Sequence, residues 1–428
     1  MSKDAPAISW KVTALTNGLR VVTTPVATAQ SVSVNIFIGA GSRCEPRERQ
    51  GLAHFLEHML FKGSQLRANA LLIASAIEGA GGTLNAYTGK ELTCYWNLLP
   101  YEKLDLAIDV LADMACHPLL DEGEIEREKS VVQQEIFRTH DQPAAWVMEL
   151  LTQAIFGGDE PMGWSIAGSP ETVAAIGRED FLSYLATWYR PANIVVSVAG
   201  NVEHEAVVEQ VAPLLDVIEG PTPPLPPLDG PPPLRRVAVE ERPTAQAHLA
   251  LALMAFPRND PDRYTLTVLN SLLGRGMSSR LFREVRERRG LAYSIGSSIS
   301  RYSDTGLLTI TAGVGSDNVK EALAVIVAEV ERLAQELAEE EELTKARDYT
   351  VGGFRLSLET TMALGQWTGE SLLALGEIEP PEEVVAKLRA VSAEDTQRVA
   401  QRLLSSGLAL SAVGPQLREE EMAEFVRT

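Results

Sequence analysis

Apolar positions alternate with polar ones through LRVVTTP (19–25) and again through SVSVNIFIGAG (31–41). Both runs are rich in β-branched residues and the second ends at glycines, which predicts two strands. In GLAHFLEHMLFKG (51–63) the period changes. Leu52, Phe55, Leu56, Met59 and Leu60 recur at three- and four-residue spacing, which predicts a helix. NALLIASAIEGAGG (69–82) predicts a second helix that stops at its glycines. TLNAYTGKELTCYWNLLP (83–100) reads as two strands about a Thr-Gly-Lys turn. Helical stretches follow near Lys103–Ala115 and Glu122–Arg138, and ANIVVSVAGNV (192–202) is a buried strand ending in a turn.

The same rhythm returns further on. AHLALALMAFP (247–257) predicts a strand, YTLTVLNSLLG (264–274) a helix, LAYSIGSSISRYSDTGLLTITAGV (291–314) two strands about a turn, and NVKEALAVIVAEVERLAQEL (318–337) a long helix. LALSAVGPQ (408–416) echoes VVSVAGNV (195–202). Between the two series lies EGPTPPLPPLDGPPPLRR (219–236), whose prolines can continue neither a helix nor a central strand. The expectation is two related α+β domains, 1–218 and 237–428, joined by the proline-rich linker 219–236. Each is a mainly antiparallel sheet packed with helices.

Composition narrows the function. The chain has 428 residues, 45% hydrophobic and 22% charged, enough for more than one globular core. A net charge of −20 argues against nucleic acid or an anionic membrane as partner, since both select basic surfaces. Cys44, Cys94 and Cys116 form no CxxC, and their low, odd number fits a reducing compartment. MSKDAPAISWKV carries no apolar run of signal-peptide type, and no stretch approaches a membrane span. The expected location is cytoplasmic.

Only six histidines occur, and two of them fall in HFLEH. On a helix, His54 and His58 lie on one face and can present both imidazoles to one ion, while Glu57 sits near that face within reach of a water. A further protein ligand is needed, and REKSVVQQEIFR (127–138) offers two carboxylates. Glu128 and Glu135 share a helix face but stand about 10 Å apart along its axis. One therefore ligates and the other orients a ligand or the water from behind; spacing alone does not say which.

These residues resemble the pitrilysin and mitochondrial processing peptidase family, the inverzincins, whose HxxEH order inverts that of ordinary zinc peptidases. His58 and Glu135 stand 77 positions apart, and GAGSRCEPRERQGLAHFLEHMLFKGS (39–64) is similar to the family signature over most of its length. The resemblance implies that His54, His58 and Glu135 bind one Zn2+, that Glu57 is the general base on a zinc-bound water, and that Glu128 stands behind the ligands. TLNAYTGKELTCYW (83–96) is similar to the family's edge strand, which pairs with substrate, with Asn85 and Ala86 at its contact positions. GRGMSSRLFREVRERRGLAYSIG (274–296) resembles the arginine–tyrosine segment, with Arg286 and Tyr293 holding the substrate carbonyl and its oxyanion. The length matches half-size members that act as dimers, so the implied form is a homodimer in which Arg286 and Tyr293 serve the partner's zinc. The implied activity is zinc-dependent endopeptidase action on extended, unfolded peptides. The alternatives are a non-catalytic scaffold homologue and a catalytic subunit that needs a different partner chain.

Overall fold

The computed structural model describes residues 8–214, 220–228 and 237–426. Of the proline-rich stretch 219–236, residues 219 and 229–236 lie outside the described residues; 220–228 carry no helix or strand. The chain divides into two compact units, and neither is a continuous half. The first comprises Met1–Ile136, Ser165–Pro226 and Leu356–Pro380; the second comprises Phe137–Trp164, Pro227–Arg355 and Pro381–Thr428. Sequence reading expected a single division at the linker. The segments 137–164 and 356–380 depart from it because their apolar helix faces complete the sheet of the other half.

In the first unit, six strands are ordered β1-β2-β6-β3-β5-β4: β1 (Lys11–Ala14), β2 (Arg20–Pro25), β3 (Ser31–Ile38), β4 (Thr83–Thr88), β5 (Thr93–Pro100) and β6 (Ile194–Gly200). Only β2 and β6 run parallel; the remaining pairs are antiparallel. β3 and β6 are buried almost along their whole length, as strands covered on both faces must be. On one face, Val32, Val34, Ile36 and Ile38 join helix α1 (Leu52–Leu60), helix α2 (Ala70–Glu78) and helix α3 (Leu104–Cys116) in one apolar core. The other face is mixed: the fully buried Ser33, Asn35 and Ser197 stand there beside the apolar Val22, Phe37 and Val195. It is covered by the helix Thr361–Leu375, which approaches through glycines. A methyl group on Gly369 would lie 2.3 Å from the Phe37 ring, and one on Gly365 would lie 2.6 Å from Asn35 Nδ2. The close approach lets Ser197 Oγ donate to the Gly365 carbonyl at 2.7 Å and lets Arg20 reach the Leu372 carbonyl at 2.9 Å. The buried hydroxyls of Ser33 and Ser197 find partners, which makes them tolerable beneath the helix.

The second unit has five strands ordered β7-β11-β8-β10-β9: β7 (Val237–Glu241), β8 (Ala247–Ala255), β9 (Ala292–Arg301), β10 (Gly306–Val314) and β11 (Leu408–Gly414). Only β7 and β11 are parallel. Leaving β1 aside, both units follow one scheme: the opening strand lies parallel to the closing strand, the second strand lies antiparallel on its far side, and a hairpin finishes the sheet. The recurrence seen along the sequence is thus a recurrence of topology. One sheet face holds Leu249, Leu251, Leu253, Leu308, Ile310 and their helical partners. On the other face Ala250, Ala252, Ala409 and Val413 receive Val147, Leu151, Ile155 and Phe156 of helix α5 (Pro143–Phe156). The expected α+β class, mainly antiparallel sheets packed with helices, describes both units.

Candidate metal centre

Helix α1 presents the HFLEH segment. It starts at Gly51, which has φ +92°, and a side chain there would meet the Ala167 carbonyl oxygen at 2.5 Å. The first amides of the helix are answered by a carboxylate: Glu45 accepts from Gly51 N at 2.8 Å and from Ala53 N at 2.7 Å. Burial nevertheless pushes the Glu45 carboxyl up to about 8, against the opposing pull of those two amides and of Lys90. Phe55, Leu56, Met59 and Leu60 are fully buried, so the helix cannot turn about its axis, and the histidines are held on its opposite side.

The second contributor is helix α4 (Glu122–Asp141), which carries both candidate glutamates. Glu135 Oε2 lies 3.6 Å from His54 Nε2 and 3.5 Å from His58 Nε2. Among the described residues, His54, His58 and Glu135 are the one group of three or more donors able to hold a metal ion, with ligand atoms all within 4.8 Å of one another. Four-coordinate zinc, with bonds of about 2.0–2.1 Å, keeps neighbouring donors about 3.3 Å apart. The carboxylate oxygen therefore stands from each Nε2 at close to the spacing such an ion demands, and the donor set of two imidazoles and one carboxylate suits zinc.

Glu128 lies on the other side of His58. Its Oε1 accepts from His58 Nδ1 at 2.9 Å, and its Oε2 pairs with Lys62 Nζ at 2.5 Å. The Glu128 side chain is 7% exposed and that of Glu135 33%, so Glu128 supports from within while Glu135 faces the open side. Burial acts to raise the Glu128 carboxyl, but the hydrogen bonds and charge of His58 and Lys62 outweigh it and hold the group below its ordinary value. A proton fixed on Nδ1 leaves Nε2 of His58 as the free lone pair. Burial, followed by the neighbouring His58, lowers His54 to about 4, so that it is a neutral base at neutral pH. His54 Nδ1 is buried without a hydrogen-bond partner.

Glu57 is half-buried, and burial raises its carboxyl; a hydrogen bond from Thr88 and the charge of His58 oppose this. The Thr88 hydroxyl donates to Glu57 Oε2. Thr88 ends β4, the outer strand of its sheet, in which Asn85 is exposed and the Ala86 amide is answered by Asn85 Oδ1 at 2.8 Å. The first unit thus gathers His54, Glu57, His58, Glu128 and Glu135 around one place, with Asn85 and Ala86 on the strand that ends at Thr88.

Arg286 and Tyr293 belong to the second unit and lie together there. The Arg286 guanidinium is 5.0 Å from the Phe282 ring and 5.4 Å from the Tyr293 ring, and Tyr293 is 75% exposed. Arg286 sits on a π-helical turn, Phe282–Glu287, a local widening frequent at functional sites. Sequence reading did not single out Glu45, Lys62 or Thr88. Lys62 stood one helical turn beyond His58 and was open to notice; Glu45 and Thr88 act across distances that no periodicity spans.

Residues 20–168 match the family model for insulinase (peptidase family M16), and residues 175–349 match that for the peptidase M16 inactive domain. An uncharacterized zinc protease of Streptomyces coelicolor is 37% identical over 410 residues, covering 94% of this chain and 89% of its own. Another, from Bacillus subtilis, is 36% identical over 399 residues, with 93% and 97% covered. The crystal structure of a protease from Helicobacter pylori superposes with a TM-score of 0.87 at 22% identity, over 96% of this chain and 100% of that one, which shows a shared fold. With two M16 domain models matched in order and full-length relatives above 30% identity, this chain belongs to peptidase family M16, the pitrilysin family.

Proposed function

We propose that the chain is a zinc-dependent endopeptidase that cleaves extended, unfolded peptides. The observation that carries this reading is the convergence of His54, His58 and Glu135, with a Glu135 oxygen 3.6 and 3.5 Å from the two Nε2 atoms and all ligand atoms within 4.8 Å of one another, and with Glu57 on the helix of the two histidines. His54, His58 and Glu135 would hold the ion, and Glu128 would orient His58. Bound there, zinc supplies Lewis acidity toward the scissile carbonyl and makes water a better nucleophile near neutral pH. Glu57 takes a proton from the attacking water and hands it to the leaving amine. Its burial supports this role, because a carboxyl raised above its ordinary value is the stronger base. The outer strand β4 has one side free of strand partners, which suits pairing with an extended peptide along Asn85 and Ala86.

Arg286 and Tyr293 would stabilise the oxyanion. Because one chain carries both the metal-site residues and this pair, a homodimer in which each chain's pair serves its partner's centre is self-sufficient. Among the described residues no helix is long and apolar enough to cross a membrane. Cys44, Cys94 and Cys116 form no disulfide with one another, and burial pushes the Cys44 thiol up to about 12, which suits a reducing, cytoplasmic setting.

The test is hydrolysis of unstructured peptides by the native chain, by Glu57→Gln and by chelator-treated protein, alongside zinc content. The expected outcome is cleavage lost with chelator and restored by zinc, and Glu57→Gln with zinc retained and kcat lower by about 10²–10⁴-fold. Absence of cleavage by native chain holding one zinc would turn the reading toward a scaffold or a missing partner chain. Loss of zinc from Glu57→Gln would remove Glu57 from the role of base.

A further inference from the structure

We propose that Thr88 is the positioning residue for Glu57, so that the strand proposed to receive the peptide also sets the base; this rests on the reading of Glu57 given above. The Thr88 hydroxyl donates to Glu57 Oε2, which fixes one carboxylate oxygen and leaves the other for the water. Threonine suits the task, since its β-branch stiffens χ1 and holds the hydroxyl in place.

The surroundings fix both ends of this hydrogen bond from one loop. The turn that follows Thr88 is closed by Gly89 N donating to the Leu92 carbonyl at 2.8 Å. It is joined to the loop before α1 by Ser42 N to the Gly89 carbonyl at 3.1 Å and by Arg43 N to the Lys90 carbonyl at 2.8 Å. Gly41 leaves no room between them: a methyl group there would lie 2.2 Å from the Gly89 oxygen. The Arg43 and Glu91 side chains, 0% and 3% exposed, pair at 2.7 Å, and Arg43 Nε also donates to the Pro226 carbonyl at 2.7 Å. Two residues on, Glu45 caps the helix that carries Glu57. Strand end and helix start therefore hang from residues 41–45, and the Thr88–Glu57 distance cannot drift without breaking buried bonds. That is the preorganisation a general base needs, because small misplacements near the reacting atoms cost rate steeply.

The experiment compares zinc-loaded, full-length native protein with Thr88→Val and Thr88→Ser on an unstructured peptide, and determines crystal structures of native and Thr88→Val protein. Thr88→Val is expected to lower kcat about 10- to 100-fold, with KM within about twofold and with zinc content and melting temperature unchanged. Thr88→Ser is expected to restore kcat to within about threefold of native. In the Thr88→Val crystals the Glu57 carboxylate should leave its native position. Native kcat in Thr88→Val overturns the proposal. So does a joint rise in KM and fall in melting temperature that serine does not rescue, which would mark a packing role. An unmoved Glu57 carboxylate in Thr88→Val overturns it too. If the native chain cleaves no peptide, the peptidase reading fails, and the carboxylate position alone decides whether Thr88 positions Glu57.

Discussion

Glu128 and Glu135 lie on one helix face, yet they meet different atoms of the same imidazole, and burial separates them. Glu128 is enclosed with His58 Nδ1 and Lys62, whereas Glu135 stands by the two Nε2 atoms on the open side. The seven-residue spacing revealed that two carboxylates share a face; the depth of each depends on packing that spacing does not encode. HFLEH was more legible, because four-residue spacing on an amphipathic helix leaves two imidazoles few places to go. Glu45 was hidden in plain sequence, since a carboxylate that caps a helix from six and eight positions away has no periodic signature. Its environment gives a pH prediction. The folded value near 8 exceeds the ordinary 4.5, so the folded chain keeps a proton that the unfolded chain releases. The stability linked to Glu45 is thus full below about pH 4.5 and is lost as pH rises through 8. Melting temperatures of metal-free protein should fall from pH 5 to pH 8.5 more steeply in the native chain than in Glu45→Gln; parallel curves would refute the assignment.

At the scale of elements, apolar periodicity located the hairpin β4–β5, the strands β3, β6, β8 and β11, and helices α1 to α4. The strands β1 and β7, of four and five residues, are too short to declare a period. The π-helical turn under Arg286 was invisible as well, since six residues are too few to reveal a change of period. The helix Thr361–Leu375 escaped for a different reason. Its contact with the sheet combines Gly365, Thr368 and Gly369 with the apolar Trp367, Leu372 and Leu373, so the buried face is broken by glycines and shows no even apolar stripe. Gly369→Ala tests this directly. A methyl group placed 2.3 Å from the Phe37 ring must push ring or helix aside, at about 1–3 kcal/mol. Thermal denaturation should show a lower melting temperature, while Gly376→Ala, with open space around it but φ +76°, should lose stability through backbone strain rather than through contact.

For the whole molecule, the legible part was the repeat: two rounds of strand, helix and hairpin correspond to two sheets of one topology. The trading of helices was not legible, because an amphipathic helix announces that it needs a sheet without naming which sheet. The homodimer reading makes a prediction at this scale. Glu57→Gln and Arg286→Ala, each inactive alone, should regain activity when unfolded together and refolded, because a mixed dimer holds one centre with both its base and its partner's arginine. Random pairing gives roughly a quarter of the native rate. Activity that stays at the level of the separate variants would mean that each chain serves itself or that Arg286 has another task.

Peptidases cut irregular segments, and the run 220–228 carries no helix or strand, although Leu225 and Leu228 pack on apolar cores and the Pro226 carbonyl accepts from Arg43. Such a nick severs the backbone without freeing either piece. The upstream fragment owns the helix Pro143–Phe156 that seals the second sheet, and the downstream fragment owns the helix Thr361–Leu375 that seals the first. To part, the fragments must bare Val147, Leu151, Ile155 and Phe156 to water, at about 1.5–3 kcal/mol for each side chain, and strip Ser33 and Ser197 of their hydrogen-bond partners on the helix as well. The woven chain thereby works as a clasp: a single cut within 220–228 should leave the two fragments held together as one two-chain molecule.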